Sequence, residues 1–282
     1  MKNTILKRLH EIELEILDEI VRICECNNIQ YFLIGGTLLG AIRHKGFIPW
    51  DDDLDIAMPR ADYDRFLEIC KSELNEKYIV DHYETNKEYW LPFAKIRKKG
   101  TIYEQAILSN NPKALKGIWV DIFPLDNAKY QDSIMQKLQA AIVKLLRRNI
   151  GVQHKYYRVN SWKGKIIFSL MRMFSIRTSF NLQHKVMTWW NDKDTDYFVN
   201  LGSQYGHKKQ TIRKDKYFPA TKVEFEGGLY YAPNDWDYIL TRIYGDYMKL
   251  PPEDKRVSHN PIRVDFGDEE DKIPNETKIE GK

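Results

Sequence analysis

The sequence predicts an α/β (α+β) fold, in which a mixed sheet with flanking helices carries a basic helical insertion. Three observations support this class. Short apolar runs bounded by turn residues alternate with stretches whose apolar residues recur every three or four positions. Hydrophobic residues make up 43% and charged residues 30% of the 282 residues, as in globular rather than disordered chains. Residues 129–190 are helical in pattern and strongly basic.

The first elements predicted are a helix, a strand and a second helix. Residues 4–26 are predicted to be helical because their apolar side chains recur on one face: Leu9, Ile12, Ile16, Ile20 and Ile23. The apolar run Tyr31–Ile34 predicts a short strand that ends at the turn residues Gly35 and Gly36. Residues 37–43 then predict a short helix.

The middle of the chain predicts three strand regions and one helix. Residues 53–58 alternate acidic and apolar side chains, which indicates a half-buried strand. A helix is predicted over residues 62–74, and further strands within 91–103 and 118–125.

The last elements are mostly helical. From 132 to about 190 the pattern predicts helix, with an inward stripe of Leu138, Ile142, Leu145 and Leu146. A hairpin is predicted over 218–231 around Gly227 and Gly228, and a helix over 235–244.

The sequence pattern divides the chain into four segments. Residues 1–130 are predicted to form the catalytic core, and 131–200 the basic helical insertion. Residues 201–267 would complete the core, and 268–282 form a polar tail.

Composition excludes several classes of protein. Three cysteines (Cys24, Cys26 and Cys70) cannot form a disulfide framework, which favours a reducing, cytoplasmic setting. No apolar run reaches the roughly 18 residues of a membrane-spanning helix. The N-terminus carries acids and has no signal-peptide core. We therefore expect a cytoplasmic protein, with the inner face of the cell membrane as its working position.

The basic segment suggests where the chain meets its surroundings. Residues 129–190 contain twelve lysines and arginines and one acid, Asp132. Within 154–180 these bases alternate with aromatic and apolar residues, a composition suited to the headgroup region of an anionic membrane. The alternative is a helical subdomain whose bases are simply solvated. Single-stranded nucleic acid could also use such a surface, through stacking on the aromatic rings and phosphate contacts with the bases, but we do not expect it as the partner.

The run Asp51-Asp52-Asp53-Leu54-Asp55 is the first candidate site. On a strand, Asp53 and Asp55 would share one face with their Cα atoms about 6.6 Å apart. Two neighbouring carboxylates beside an apolar layer repel each other, and Mg²⁺ or Mn²⁺ would relieve this repulsion. A solvated acidic loop is the alternative. A calcium loop of the EF-hand kind is disfavoured, because Ile56 stands where such a loop needs glycine.

The Gly35-Gly36-Thr37 turn precedes both a predicted helix and the acids. Backbone N–H groups at such a turn form an anion site. A Gly turn followed by an acidic strand resembles the nucleotidyltransferase arrangement, in which the turn holds a nucleotide di- or triphosphate opposite metal-binding aspartates.

A longer stretch makes the resemblance specific. Residues 35–55, GGTLLGAIRHKGFIPWDDDLD, resemble the signature of the LicD family, to which the fukutin-type transferases are related. AKIRK at 94–98, WVDIFPLD at 119–126 and YGDYMKLPP at 244–252 also match the family pattern. The resemblance implies a nucleotidyltransferase-like fold and a metal-dependent transferase. Such an enzyme moves phosphocholine, or a similar phospho-alcohol, from CDP-choline or another CDP-alcohol to a sugar hydroxyl. The acceptor would be a lipid-linked cell-surface glycan, such as teichoic acid or lipopolysaccharide.

The resemblance also implies roles for individual residues. The acids Asp53 and Asp55 would bind Mg²⁺ or Mn²⁺, and Asp121 would be a third ligand or the general base. The donor diphosphate would lie against the Gly turn: Gly35, Gly36 and Thr37. Phosphate charge would be neutralised by the two residues between turn and acids, Arg43 and His44.

Further contacts are less sharply implied. Lys95 and Arg97 share a strand face, and either reach the nucleotide or are exposed to solvent. Arg256 and His259, which follow the turn at Pro251, are candidates to complete the pocket. Two other readings stay open: a glycosyltransferase that uses Asp53-x-Asp55 with a nucleotide sugar, and a non-catalytic peripheral membrane scaffold.

Overall fold

The computed structural model describes residues 2–256 and 258–267. The helices of this part are α1 Lys2–Cys26, α2 Gly35–His44, α3 Arg60–Glu73, α4 Ile134–Gln153, α5 Trp162–Met171, α6 Ile176–Met187, α7 Gly206–Gln210 and α8 Trp236–Tyr244. The strands are β1 Phe32–Leu33, β2 Asp55–Pro59, β3 Tyr78–Asp81, β4 Ala94–Lys98, β5 Ile102–Glu104, β6 Trp119–Ala128, β7 Tyr197–Val199, β8 Thr211–Arg213, β9 Thr221–Phe225, β10 Gly228–Ala232 and β11 Arg263–Asp265. The predicted mixed α/β class is confirmed. The polar tail 268–282 lies outside the described residues.

The main sheet is built around β6. Its strand order is β1-β2-β6-β4-β3, and β7 and β8 continue from the far end of β6. The pairing of β2 with β6 is parallel, whereas the other pairs of this sheet are antiparallel. Two small antiparallel pairs, β9 with β10 and β5 with β11, lie beside it.

One face of the main sheet is apolar and covered by helices. Side chains alternate across β4 and β6, so that Ile96, Val120 and Ile122 point to one face, where all are fully buried. Helices α1 and α3 contact these strands and each other. The predicted stripe of α1 is confirmed, since Leu9, Ile12, Ile16, Ile20 and Ile23 are all at most 3% exposed. The opposite face carries charged side chains, among them Lys95 and Asp121, next to the buried aromatic rings of Trp119 and Phe123.

Two predicted strands have other limits than expected. The strand predicted from Asp53 begins only at Asp55, because the backbone N–H of Asp55 donates to Thr37 Oγ1 (2.8 Å) and Asp53 makes no ladder bond. Asp53 therefore does not share a strand with Asp55. The region 91–103 contains two strands, β4 and the start of β5, separated by a turn in which Gly100 has φ 79°.

The basic segment, predicted to be helical from 132 to about 190, folds as the three helices α4, α5 and α6. Each begins with a serine whose side chain accepts a backbone N–H of the first turn: Ser133, Ser161 and Ser175. The predicted stripe of α4 is wrong in part. Leu138 and Leu145 are 47% and 42% exposed, whereas polar side chains occupy much of the buried face.

Buried glutamines explain that difference. Gln136 and Gln139 are fully buried and hydrogen-bonded to each other (2.8 Å). Gln139 Nε2 also donates to the backbone oxygens of Val186 and Met187 at the end of α6. Hydrogen bonds satisfy these amides, so a helix can bury glutamine where an apolar pattern predicts leucine.

Candidate active site

A row of charged side chains crosses the other face of the sheet, where Asp81, Lys95 and Asp121 are each at most 8% exposed. The strand register places Asp55 opposite Asp121, Asp121 opposite Lys95, and Lys95 opposite Asp81. All four point to the face away from α1 and α3, because Ile96 and Val120 point toward the helices. The parallel pairing of β2 with β6 thus brings together two acids that are distant in sequence.

The Gly turn lies directly against the acids. A β-carbon placed on Gly35 would come within 2.9 Å of Asp55 Oδ2, and one on Gly36 within 2.5 Å of Asp51 Oδ2. Gly35 has φ 57°, which side-chain-bearing residues rarely adopt, and α2 begins at this residue. Amides in the first turn of a helix lack partners within it. The turn therefore combines glycines that admit close approach with the N-terminus of a helix.

Burial and mutual repulsion perturb the acids. The pKa of Asp55 lies well above its usual range, because the carboxyl is buried and Asp53, Asp121 and Asp51 surround it. Burial, followed by repulsion from Asp53 and Asp52, raises the pKa of Asp51 to about 8. The pKa of Asp53 is also raised, chiefly by burial. Such carboxyls hold protons unless a cation balances them.

Two side-chain cations lie within the acidic group. Lys95 Nζ is 2.5 Å from Asp121 Oδ1, and both residues are buried. Burial lowers the pKa of Lys95, although Asp121 opposes that shift. His259 Nε2 lies 3.7 Å from Asp53 Oδ2. Each cation thus meets one of the predicted metal-binding acids.

Asp52 holds His259 in place. Its carboxylate accepts the backbone N–H of His259 (2.9 and 3.0 Å) and contacts the ring Nδ1 at 2.9 Å. Tyr103 Oη donates to the same carboxylate. The hydrogen bond that the His259 ring donates to Asp52, followed by attraction to Asp53, raises the pKa of His259 to about 9. At neutral pH the ring is therefore an imidazolium that balances the acids.

Lys95 and Arg97 are not solvent-exposed, so that alternative is excluded. They are 6% and 4% exposed. Arg97 Nε donates to Asp81 Oδ2 (2.5 Å), and its Nη1 donates to the backbone oxygen of Gly117 (2.7 Å). Both cations lie over the ring of Trp119, at 4.1 Å for Lys95 and 5.1 Å for Arg97. They form a fixed basic patch beside Asp121.

Arg43 and His44 lie at the C-terminal end of α2. Arg43 Nε donates to His44 Nε2 (2.9 Å), and Arg43 Nη1 donates to the backbone oxygen of Tyr247 (2.8 Å). Within residues 2–256 and 258–267, neither forms an ion pair with the acids. Burial lowers the pKa of His44, and Arg43 lowers it further. Arg43 therefore joins α2 to the C-terminal segment, and His44 is held by Arg43. The predicted contact of both residues with phosphate stays a prediction.

The acidic cluster fits a hard divalent cation by its chemistry. Asp51, Asp53 and Asp55 offer carboxylate oxygens, the ligands that Mg²⁺ and Mn²⁺ prefer. Their raised pKa values show an excess of buried negative charge that a cation would offset. In the described part of the chain, no three His, Cys, Asp or Glu side chains are already arranged around one metal position. Binding would therefore require side-chain rotations.

Sequence reasoning missed three residues of the site. Asp52 was one acid of a run, and nothing in the sequence separates it from its neighbours. Tyr103 and Glu13 lie far from the motif. Glu13 is fully buried on α1, its Oε2 has no hydrogen-bond partner among the described residues, and burial with repulsion from Asp53 raises its pKa well above the usual range. Glu13 lies four residues after Leu9 and three before Ile16, so it borders the apolar stripe of α1. That position was the signal in the sequence for its burial.

Comparisons with known proteins place the chain among characterised relatives. A family model described as LicD/FKTN/FKRP, nucleotidyltransferase domain, matches residues 28–141. Lipopolysaccharide cholinephosphotransferase LicD of Haemophilus influenzae is 33% identical over 264 residues, which are 92% of this chain and 97% of that protein. Human ribitol 5-phosphate transferase FKRP is 46% identical over 39 residues, 14% of this chain and 8% of that protein. An uncharacterised protein of Rickettsia prowazekii is 41% identical over 80 residues, 22% of this chain and 30% of its own.

Proposed function

Because this chain belongs to the LicD family, we propose that it is a metal-dependent transferase of phosphocholine or a similar phospho-alcohol. The donor is CDP-choline or another CDP-alcohol. The acceptor is a sugar hydroxyl of a cell-surface glycan, such as lipopolysaccharide or teichoic acid. The three cysteines are free thiols, which favours the cytoplasmic side of the membrane.

One observation carries the proposal: the glycines of the turn at residues 35–36 touch the acids of residues 51–55. A diphosphate bound at the N-terminus of α2 would lie beside the carboxylates that hold the metal. The relative from Haemophilus influenzae is named a lipopolysaccharide cholinephosphotransferase, which supports choline as the alcohol. The human relative supports phospho-alcohol transfer more generally.

In the proposed reaction, a sugar hydroxyl attacks the phosphorus next to choline. A sugar oxygen–phosphorus bond forms, the phosphorus–oxygen bond to CMP breaks, and CMP leaves with the electron pair of that bond. The hydroxyl proton passes to a carboxylate, for which Asp121 is the candidate if it is not a metal ligand. Lys95 and Arg97 place fixed positive charge next to the reacting phosphate.

The acids and the Gly turn position the donor. Asp53 and Asp55 would hold Mg²⁺ or Mn²⁺, which when bound supplies charge neutralisation for the donor phosphates. Gly35, Gly36 and Thr37 orient the diphosphate, and Thr37 already anchors β2 through Asp55. His259, which Asp52 holds in place, lies next to Asp53 and offsets part of the negative charge of the acids.

Calorimetric titration of CDP-choline with Mg²⁺ or with chelator tests the proposal. We expect metal-dependent binding that Asp53→Ala abolishes. The matched control is Asp192→Ala, which removes an acid whose side chain is 71% exposed. CDP-glycerol, CDP-ribitol and UDP-sugars are titrated in parallel.

The competing outcomes are distinct. Tighter binding of CDP-ribitol or CDP-glycerol would keep the reaction and change the alcohol. Binding of UDP-sugars alone would indicate a glycosyltransferase. A folded, metal-loaded protein that binds none of these nucleotides would indicate a scaffold, and metal binding that survives Asp53→Ala would overturn the site assignment.

A further inference from the structure

A pocket lies beside the charged row, on the same face of the sheet. Lys95 and Arg97 line it, and Lys95 also contacts Asp121. It has room for roughly four water molecules, comparable to a small organic headgroup. The pocket is therefore next to the phosphate position of the proposed reaction.

The charges of the pocket are unequally balanced. Arg97 is paired with Asp81, and Lys95 with Asp121. Glu88 also lines the pocket, but its carboxylate bonds only to the neutral amide of Asn111 (2.8 Å) among the described residues. Glu88 is thus a lining carboxylate without a cation.

Aromatic rings surround this acid. Tyr89, Trp90 and Tyr156 line the pocket, and each is less than 10% exposed. The rings of Trp90 and Tyr156 lie 5.1 Å apart, and Tyr156 Oη donates to the backbone oxygen of Glu88. Lys95 covers the ring of Trp119, and the guanidinium of Arg147 lies 6.0 Å from the centre of the Trp90 ring. The ring of Tyr156 is therefore the aromatic surface near Glu88 that no side-chain cation of the described residues covers.

We propose that Glu88 and Tyr156, with the ring of Trp90 packed against Tyr156, bind the quaternary ammonium of the donor's choline. Aromatic rings with a carboxylate recognise trimethylammonium groups, since the ring faces and the acid attract the cation. Lys95 and Arg97 would meet the adjoining phosphate, so the pocket matches both charges of phosphocholine. This assignment rests on the proposed function, which it deepens by naming the choline subsite.

Nucleotide titrations of matched variants test the assignment. Glu88→Gln keeps an acceptor for Asn111 and removes the charge. We expect it to weaken CDP-choline about 3- to 30-fold, and to leave CDP unchanged. Tyr156→Leu should act in the same direction, with Tyr156→Phe retaining more affinity because the ring is kept. Glu84→Gln, at an exposed acid four residues away, is the control.

Each result decides for or against the pocket. Equal losses for CDP-choline and CDP, or no loss for CDP-choline, would overturn the choline subsite while leaving the CDP donor intact. If the wild-type protein bound no cytidine nucleotide, the donor proposal would fail. In that case phosphocholine itself is titrated. Phosphocholine binding that Glu88→Gln weakens would support the pocket, and a wild-type protein that does not bind phosphocholine would overturn it.

A separate observation concerns the surface of α5. Six large apolar side chains between residues 162 and 174 face solvent, with exposed fractions from 48% to 83%: Trp162, Ile166, Ile167, Leu170, Met173 and Phe174. Phe168 is the buried residue of this helix. Thus α5 turns most of its apolar surface away from the protein.

The charges around this surface have one sign. Lys163, Lys165, Arg172 and Arg177 are exposed, and none forms an ion pair within the described part of the chain. The sequence has no acid between Asp132 and Asp192. An apolar stripe flanked by unpaired bases matches the headgroup and upper acyl region of an anionic bilayer. No helix of residues 2–256 could itself cross that bilayer.

We infer that the α5 surface, residues 162–177, docks on an anionic membrane. This inference does not depend on the identity of the donor. A protein held this way meets a lipid-linked acceptor by diffusion within one plane.

Vesicle flotation tests the docking. We expect binding to vesicles of phosphatidylcholine with phosphatidylglycerol, and little to phosphatidylcholine alone. A triple Trp162→Ser, Ile166→Ser, Leu170→Ser variant should bind at least roughly tenfold more weakly, and each of Lys163→Gln and Lys165→Gln about fivefold more weakly. The control is Leu229→Ser with Met248→Ser, since these exposed side chains (64% and 57%) lie outside the surface.

Three results would overturn the inference. These are absence of vesicle binding, equal binding to neutral and anionic vesicles, and self-association of the wild-type protein that the triple variant abolishes. The last would show that a second copy of the chain covers α5.

Discussion

Asp52 differs from its acidic neighbours in what it contacts. Asp51 and Asp55 lie against glycine, whereas Asp52 bonds to His259 and Tyr103. The run therefore contains two kinds of acid: those that face a ligand site and one that positions an imidazolium. The sequence could predict a cluster of charge here, but the division of roles depends on which way each side chain points.

His259 should make stability depend on pH. Its pKa is about 9 in the folded protein and near 6.5 in the unfolded chain. The folded state thus binds the proton more tightly. The resulting stabilisation is complete below pH 6.5 and is lost as pH rises through 9. In chelator, the free energy of unfolding should fall across this window, and His259→Asn should flatten the dependence. A variant with an unchanged pH profile would contradict the charged pair.

Glu13, a buried acid without an ionic partner, should also make stability depend on pH. Its folded pKa is raised, so the unfolded chain releases the proton first as pH rises above about 4.5. Stability is therefore lost with increasing pH. Glu13→Gln should remove this loss and raise the melting temperature at pH 8 by roughly 2–4 °C. The difference should vanish near pH 4, and an equal shift at both pH values would disprove the linkage.

At the scale of elements, Asp126 joins three parts of the fold. It is fully buried at the end of β6, and both its oxygens accept from Arg60 of α3 (2.7 and 2.9 Å). Asn191 donates to it as well (2.8 Å). The acid lies within a motif shared with the family, yet its contacts are structural.

Removal of Asp126 should destabilise the protein strongly. Asp126→Ala leaves Arg60 buried without its partner, and we expect a loss of about 3–5 kcal/mol in the free energy of unfolding. Asp64→Ala is the matched control, because Asp64 also contacts Arg60 (3.5 Å) but is 53% exposed. That change should cost less than about 1 kcal/mol. Similar values for both variants in chemical denaturation would refute the buried pair.

Elements with apolar periodicity were predictable, and those with buried polar groups were not. The stripe of α1 was correct because its buried side chains are apolar. In α4, Gln136 and Gln139 occupy buried positions, whereas Leu138 and Leu145, which the apolar pattern placed on the buried stripe, are exposed. The acids and the Gly turn of the site could be found because they are close in sequence. The bond from Asp52 to His259 spans 207 residues and depends on the fold.

Over the whole molecule, packing is uneven. The main core joins α1, the sheet, the hairpin of β9 with β10, and α8. A second, small cluster of Val143, Val186 and Met187 lies between α4 and α6. Buried amides such as Gln136 and Gln139 lie beside this second cluster, and the buried residue of α5 is Phe168.

This unevenness predicts the order of local opening. In hydrogen exchange, the amides of α5 should exchange at least roughly 100-fold faster than those of α1, because opening α5 exposes little buried apolar surface to water. Anionic vesicles should slow exchange in α5 and leave α1 unchanged. Equal protection of the two helices in the free protein would contradict the expectation.

The segment that contains His259 and β11 follows the exposed turn Glu253–Lys255. It is held to the rest of the protein by the pairing of β11 with β5 and by the contact of His259 with Asp52. A cut in this turn would leave every acid of the site on one fragment and the imidazolium on the other. Activity would then depend on reassociation of the two fragments, and a peptide containing residues 256–267 would restore it in a dose-dependent way.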